Sequence, residues 1–176
     1  MSLLSVDSIK SYFSKEGFAF ANRYAVYMPN VPGYSVDDSK DLNIMCNRVT
    51  VPGRQILTSD YYTSMRVSRR AYAFGVNEIT MSFMLSNDWK AWDYIDQWQK
   101  QCIDNLDKLD GYKVGYKNDY CRDIRIQHLD TQGIVKRQIL IQNAFPTTLT
   151  PLEFSNTQSE VVNCIVTLQF ENWKEL

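Results

Sequence analysis

The sequence is poor in the residues that carry most enzyme chemistry. It has one histidine, His128, and no serine in a Gly-x-Ser-x-Gly setting to accompany it, so no nucleophile–base pair is on offer. Its four cysteines, Cys46, Cys102, Cys121 and Cys164, are far apart with no Cys-x-x-Cys pair, which argues against a zinc site. A tight acidic calcium loop is missing, and the seven glycines form neither a dinucleotide fingerprint nor a phosphate-binding loop. No catalytic residue, metal or cofactor is therefore expected. No apolar run approaches the roughly 20 residues that cross a bilayer, so membrane insertion is not expected either. A charged-then-apolar leader is absent from the start, and reduced, mostly buried thiols are the default expectation. Net charge is also lacking: 19 basic residues meet 20 acidic ones. A dedicated DNA-binding protein would need a basic face to displace counterions from phosphates, whereas near-neutrality permits self-association.

What is present suits a folded domain. Apolar residues make up 44% and charged residues 22% of 176, ordinary values for one core. With no linker, repeat or low-complexity stretch, residues 1–176 read as a single domain. Aromatic residues reach 13%, with eleven tyrosines. They fit either an aromatic core or subunit contacts.

The dominant pattern is period-two alternation, which marks strands with one buried face. It runs through Asn22–Met28, through Asn77–Leu85 and through Val161–Phe170, where Val162, Cys164, Val166, Leu168 and Phe170 share a side. Cys121–Leu129 and Ile134–Asn143 are also strands, joined by the turn signal Asp130-Thr-Gln-Gly133. Phe145-Pro146 is expected to end the second. Leu42–Val51 reads as another strand, and polar Ser35–Lys40 and Lys108–Tyr120 as loops. A short helix is expected near Asp7–Phe13, stopped by Gly17.

One helix stands out, over roughly 88–106, with its N-cap expected in Ser86-Asn87-Asp88. Trp89, Trp92 and Trp98 are expected to lie along one side and anchor it to the sheet or to a neighbouring subunit. The carboxylates Asp93, Asp96, Asp104 and Asp107, on or just beyond this helix, read as a solvated face. Residues 54–75 combine Arg54, Arg66, Arg69 and Arg70 with Tyr61, Tyr62, Tyr72 and Phe74. They read as a hairpin arm that projects from the body and meets the acidic surface of another subunit, at Asp37-Asp38 or at the helix carboxylates. The non-core phase of three strands places Thr80, Ser82, Gln138, Gln142, Asn163, Thr167 and Gln169 on hydrated faces.

Taken in order, these pieces resemble the tail tube proteins of contractile-tailed bacteriophages and related contractile injection systems. The resemblance is carried by Phe18-Ala-Phe-Ala-Asn-Arg-Tyr24, Cys46…Val51-Pro-Gly-Arg54 and Ile79-Thr-Met-Ser-Phe83. It continues through Asn87-Asp88 into the Trp-rich helix, then Ile139-Leu-Ile-Gln-Asn-Ala-Phe-Pro146 and Val166-Thr-Leu-Gln-Phe-Glu-Asn-Trp173. It implies a mainly β fold with a flanking helix, two packed antiparallel sheets forming a small barrel or sandwich. It also implies hexameric rings that stack into a tube within a contractile sheath, joined by baseplate and terminator proteins. Double-stranded DNA would pass transiently along the lumen, whose lining is expected to be the seven polar residues above. The place would be a virion tail, assembled in the host cytoplasm. A tube-initiating baseplate protein of the same fold and a β-barrel module for nucleic acid or a small ligand remain the alternatives.

Overall fold

The computed structural model describes residues 6–34, 36–63, 65–104, 111, 113–155 and 161–176; the side chains of residues 7, 8, 15, 16, 36–39 and 63 are left aside. In chain order the elements are α1 (Val6–Glu16), β1 (Tyr24–Tyr27), α2 (Val36–Met45), β2 (Cys46–Val49), β3 (Arg54–Thr63), β4 (Arg66–Val76) and β5 (Ile79–Met84). Then come α3 (Lys90–Cys102), the short strands β6 (Ile103–Asp104) and β7 (Lys113–Val114), α4 (Lys117–Tyr120), β8 (Arg122–Leu129), β9 (Val135–Leu149), β10 (Asn163–Gln169) and β11 (Asn172–Glu175). The fold is mainly β, antiparallel throughout its ladders, as expected.

One bent seven-stranded sheet, ordered β1-β8-β9-β10-β5-β2 with β11 against β9, makes the body. The bend lies in β9, whose first part pairs with β8 and β11 and whose last part pairs with β10. Asn143, at φ 55°, supplies the extra residue that shifts the register there, and its N–H donates to Asp123 Oδ1 at 3.0 Å. Such a bulge bends a strand and resets which side chains point inwards. The buried phase accordingly moves from Ile139 and Ile141 to Ala144 and Pro146. The sheet does not close. Among the described hydrogen bonds, its end strands are joined by the Tyr24 hydroxyl, which donates to the Cys46 carbonyl at 3.1 Å.

The inner face carries Ile79, Met81 and Phe83 of β5, Cys164, Val166 and Leu168 of β10, Ile124 and Ile126 of β8, and Ile139 and Ile141 of β9. Helix α3 covers them with Ala91, Tyr94, Ile95 and Trp98, all fully buried. Buried polar tips find partners, as burial demands: Trp98 Nε1 donates to the Tyr120 carbonyl at 2.7 Å and the Tyr94 hydroxyl to the Pro29 carbonyl at 2.6 Å.

Several expectations are corrected. Where Ser35–Lys40 was expected as loop and Leu42–Val51 as strand, the chain is helical from Val36 to Met45 and the following strand is Cys46–Val49; Ser35 itself lies outside the described residues. Among the described side chains of this helix only Leu42 is deeply buried, so they show almost no apolar stripe. Pro146 does not end β9, which continues to Leu149. It sits beside a register slip at Thr167/Leu168, after β8 has left its other side, a place where a missing N–H is tolerated. Within Lys108–Tyr120 the described residues include β7 and α4. Helix α3 is shorter than 88–106 and is capped by Trp89, with no side-chain cap from Ser86, Asn87 or Asp88. Nor do the three tryptophans share a side. At roughly 100° per residue, nine positions turn Trp89 half a circle from Trp98, so Trp98 is buried, Trp92 half-buried and Trp89 exposed.

Candidate assembly interface

Ladder pairing divides the seven polar positions into two groups. Thr167 faces Thr80 across the β10–β5 ladder, and Asn163 and Gln169 share their side of β10. Ser82, on the same side of β5, is flanked by Ile165 and Arg48 and is therefore buried although it points away from the core. Gln169 Nε2 donates to Glu78 Oε1 at 3.0 Å, and Asn47 Nδ2 to Asn163 Oδ1 at 2.8 Å. These five positions share one side of the β9-β10-β5-β2 limb, where Ser82 is buried and the other four are at least partly exposed, with Ile165 and Met84 as its apolar members. Gln138 and Gln142 lie on the outward side of the other limb, opposite Gln127 of β8 and Asn172 of β11. Gln127 Nε2 donates to Gln138 Oε1 at 2.7 Å.

The arm is a ladder from Arg54↔Val76 to Thr63↔Arg66, about 30 Å long at the usual rise per residue. Almost every described side chain on it is exposed, on both faces. Alternation places Ile56, Tyr62, Val67 and Phe74 on one side, each more than half exposed. Arg69 reaches Asp60 at 3.4 Å on that side, and Arg70 stacks 4.2 Å from the Tyr61 ring on the other. Only the base is anchored: Arg54 lies 4.4 Å over Trp173 and donates to its carbonyl at 3.0 Å, while Trp173 Nε1 donates to the Gly53 carbonyl at 3.4 Å. Beyond the base, no described hydrogen bond, ion pair or ring contact ties the arm to another element. Tyr72 and Phe74 are exposed with the rest.

Two further apolar surfaces are exposed. Helix α1 exposes Val6, Ile9, Tyr12 and Phe13, and Phe13 stacks on Phe18 with ring centres 4.3 Å apart. The spacing of Val6, Ile9 and Phe13 was the available signal. At the start of α3, Trp89 and the exposed Phe154 approach to 6.1 Å, and Trp89 and Trp92 to 6.3 Å. Trp89 holds φ 54°, a left-handed conformation that costs a bulky residue on the order of 1–3 kcal/mol. No sequence signal announces that conformation.

Between the unjoined edges of β1 and β2 opens a groove of about 840 Å³, lined by Phe18, Tyr24, Val49, Ile126 and Ile139 with Arg48, Lys136 and Arg137. His128 borders it and its Nε2 lies 3.3 Å from the Phe20 carbonyl. Burial pushes the Cys46, Cys102 and Cys164 thiols up to about 11, the opposite of what a nucleophile needs. Glu171 accepts from Lys117 and from Asn143 Nδ2, and these bonds hold its carboxyl below the usual range. This clasp fastens α4 to the bulge where the sheet bends. Among the described residues no three potential ligands gather for a metal, and no helix is long and apolar enough to cross a membrane.

With a polar outer sheet face, a complete core and an arm that has no core of its own, the molecule has the parts of a self-assembling subunit. Residues 19–176 match the phage tail tube protein family. The chain belongs to that family. Its members are structural tube proteins, not enzymes. No curated protein matches the sequence. The fold is similar to a chain in the cryo-EM structure of the anti-feeding prophage tube-terminating cap, at TM-score 0.64 and 19% identity over 90% of each chain. It is also similar to a chain in the sheath–tube complex of an extracellular contractile injection system, PVC, in the extended state, at TM-score 0.63 and 17% identity over 94% of this chain and 96% of that one. A third similar fold occurs in the anti-feeding prophage baseplate, at TM-score 0.61 and 13% identity, covering 90% of this chain and 95% of that one.

Proposed function

We propose that this tail tube protein is the repeating subunit of a hollow tube inside a contractile sheath. Copies close into hexameric rings, and the arm joins each subunit to a neighbour in its own ring or the next. The observation that carries the reading is the contrast between a body with a finished core and an arm exposed on both faces. Exposed apolar surface of this extent marks an interaction site. Ring closure would also cover the free edges of β1 and β2, which an isolated monomer leaves open to uncontrolled pairing.

The lumen is lined by Thr80, Ser82, Asn163, Thr167 and Gln169. Uncharged polar groups let double-stranded DNA pass without tight phosphate contacts. Gln138 and Gln142, on the other limb, are tested separately by accessibility labelling of single-cysteine variants in assembled tubes. The sheath, a baseplate and a terminator are the partners, within a particle tail assembled in the host cytoplasm. A tube-initiating or tube-capping role is the second reading, supported by the likeness to baseplate and cap structures. Negative-stain imaging of the purified protein tests both. Long tubes support the repeating subunit, lone rings the initiator or cap, and monomers at high concentration contradict both.

A further inference from the structure

The strongest unassigned surface is the aromatic patch at the start of α3. Trp89 takes a backbone conformation that bulky residues rarely adopt, and in it the ring lies outside the core, 39% exposed, between Trp92 and Phe154. Phe154 is 70% exposed and adds to the same surface. Exposed carboxylates adjoin these rings. Asp88 precedes Trp89, Asp93 lies one turn on with its N–H bonded to the Trp89 carbonyl at 3.0 Å, and Glu153 precedes Phe154. None of the three takes part in an ion pair among the described residues. The patch is therefore apolar at its centre and acidic at its edge.

The arm has the complementary composition. From 54 to 76 it holds four arginines against one acid, Asp60, and it exposes Ile56, Tyr62, Val67 and Phe74 along one side. Arg66 and Arg70 share the opposite side of its outer half. A guanidinium gains from both an indole face and a nearby carboxylate, and the gain grows when water is excluded. The groove between β1 and β2 fits the arm poorly, because Arg48, Lys136 and Arg137 line it against Asp130 alone.

We propose that the Trp89–Trp92–Phe154 patch, with Asp88, Asp93 and Glu153, receives the β3–β4 arm of a second copy. This deepens the tube reading and rests on it for the arm's role. The contact is head-to-tail: each copy gives an arm and offers a patch, so the association propagates instead of stopping at a pair.

Two chains that each lack one half of the contact provide the test. A chain deleted for residues 60–70 keeps only the patch, and the triple variant Trp89→Gly, Asp88→Lys, Asp93→Lys keeps only the arm. Glycine accommodates the left-handed backbone at position 89, so the fold is retained, and circular dichroism checks this for both chains. Sedimentation is expected to show each chain alone as a monomer and the mixture as a one-to-one complex. Failure of the mixture to associate overturns the assignment. In the full chain, Arg66→Glu with Arg70→Glu is expected to cut assembled material about tenfold or more, and adding Asp88→Lys with Asp93→Lys to restore most of it. Loss without rescue means that Arg66 and Arg70 meet a surface other than this patch and also overturns the assignment. The tube reading is judged separately by imaging the wild type. Tubes with no complementation sink the docking site alone, and complementation without tubes or rings sinks the tube.

Discussion

Strands β5 and β10 and strands β3 and β4 are built by the same antiparallel rule, yet they meet opposite fates. In the first pair one side of each strand is fully buried, Ile79, Met81 and Phe83 against Cys164, Val166 and Leu168, and the other is hydrated. In the second pair neither side is covered. An isolated two-stranded hairpin is marginally stable in water, because it has too little apolar burial to offset the entropy of ordering. The body is therefore a finished structure and the arm an unfinished one. On the proposed reading, what completes the arm is another subunit.

Deleting residues 60–70 is expected to abolish assembly while leaving a folded monomer, as read by sedimentation and circular dichroism. A chain that unfolds instead would make the arm part of the body's own core. In the body, Trp98→Ala removes a fully buried ring and its bond to the Tyr120 carbonyl, and is expected to cost about 3–5 kcal/mol in denaturant unfolding. Trp89→Ala is expected to cost the monomer far less, since its ring is exposed. Equal costs would erase the distinction drawn between the two tryptophans.

Backbone N–H groups of Ile134 and Gln132 donate to Asp130, and with Lys136 nearby they hold its carboxyl below the usual range. Its folded pKa is thus depressed, so the stability it contributes is present above the unfolded carboxylate value and lost as pH falls through the folded one. Glu171 behaves the same way through Lys117 and Asn143. Acidification below about pH 4 is expected to lower the melting temperature of the wild type more than that of an Asp130→Ala, Glu171→Gln variant. The thiols act in the opposite sense. Burial raises Cys46 and Cys164 to about 11, so their contribution is intact below the unfolded thiol value and declines as pH rises above it. At pH 8 both are expected to resist a thiol reagent until the chain is unfolded. Rapid labelling of either would show that the core opens readily.

The sequence was most legible where alternation and burial coincide. The phases of β5, β8 and β10 and the hairpin turn at Asp130–Gly133 could be read directly, and so could the arm's ladder. Legibility failed where a single backbone event overrides periodicity. Asn143 inserts one residue, switches the buried side of β9 and lets the strand pass through Pro146. Among the described side chains, helix α2 buries little besides Leu42, and they show no stripe to distinguish it from a polar loop. The tryptophan spacing was visible, but three residues placed 3 and 6 apart do not fall on one side of an α-helix. That leaves Trp89 for the surface and, with it, the patch that composition alone did not reveal.

Hydrogen exchange of the arm, compared between monomer and assembled protein, decides whether the arm needs a partner to be complete. Amides of β3 and β4 are expected to exchange quickly in the monomer, while those of β5 and β10 are protected. In the assembly, the arm's amides are expected to become as slow as the body's. Strong, equal protection of the arm in both states would contradict the account, because the arm would then be complete without a partner.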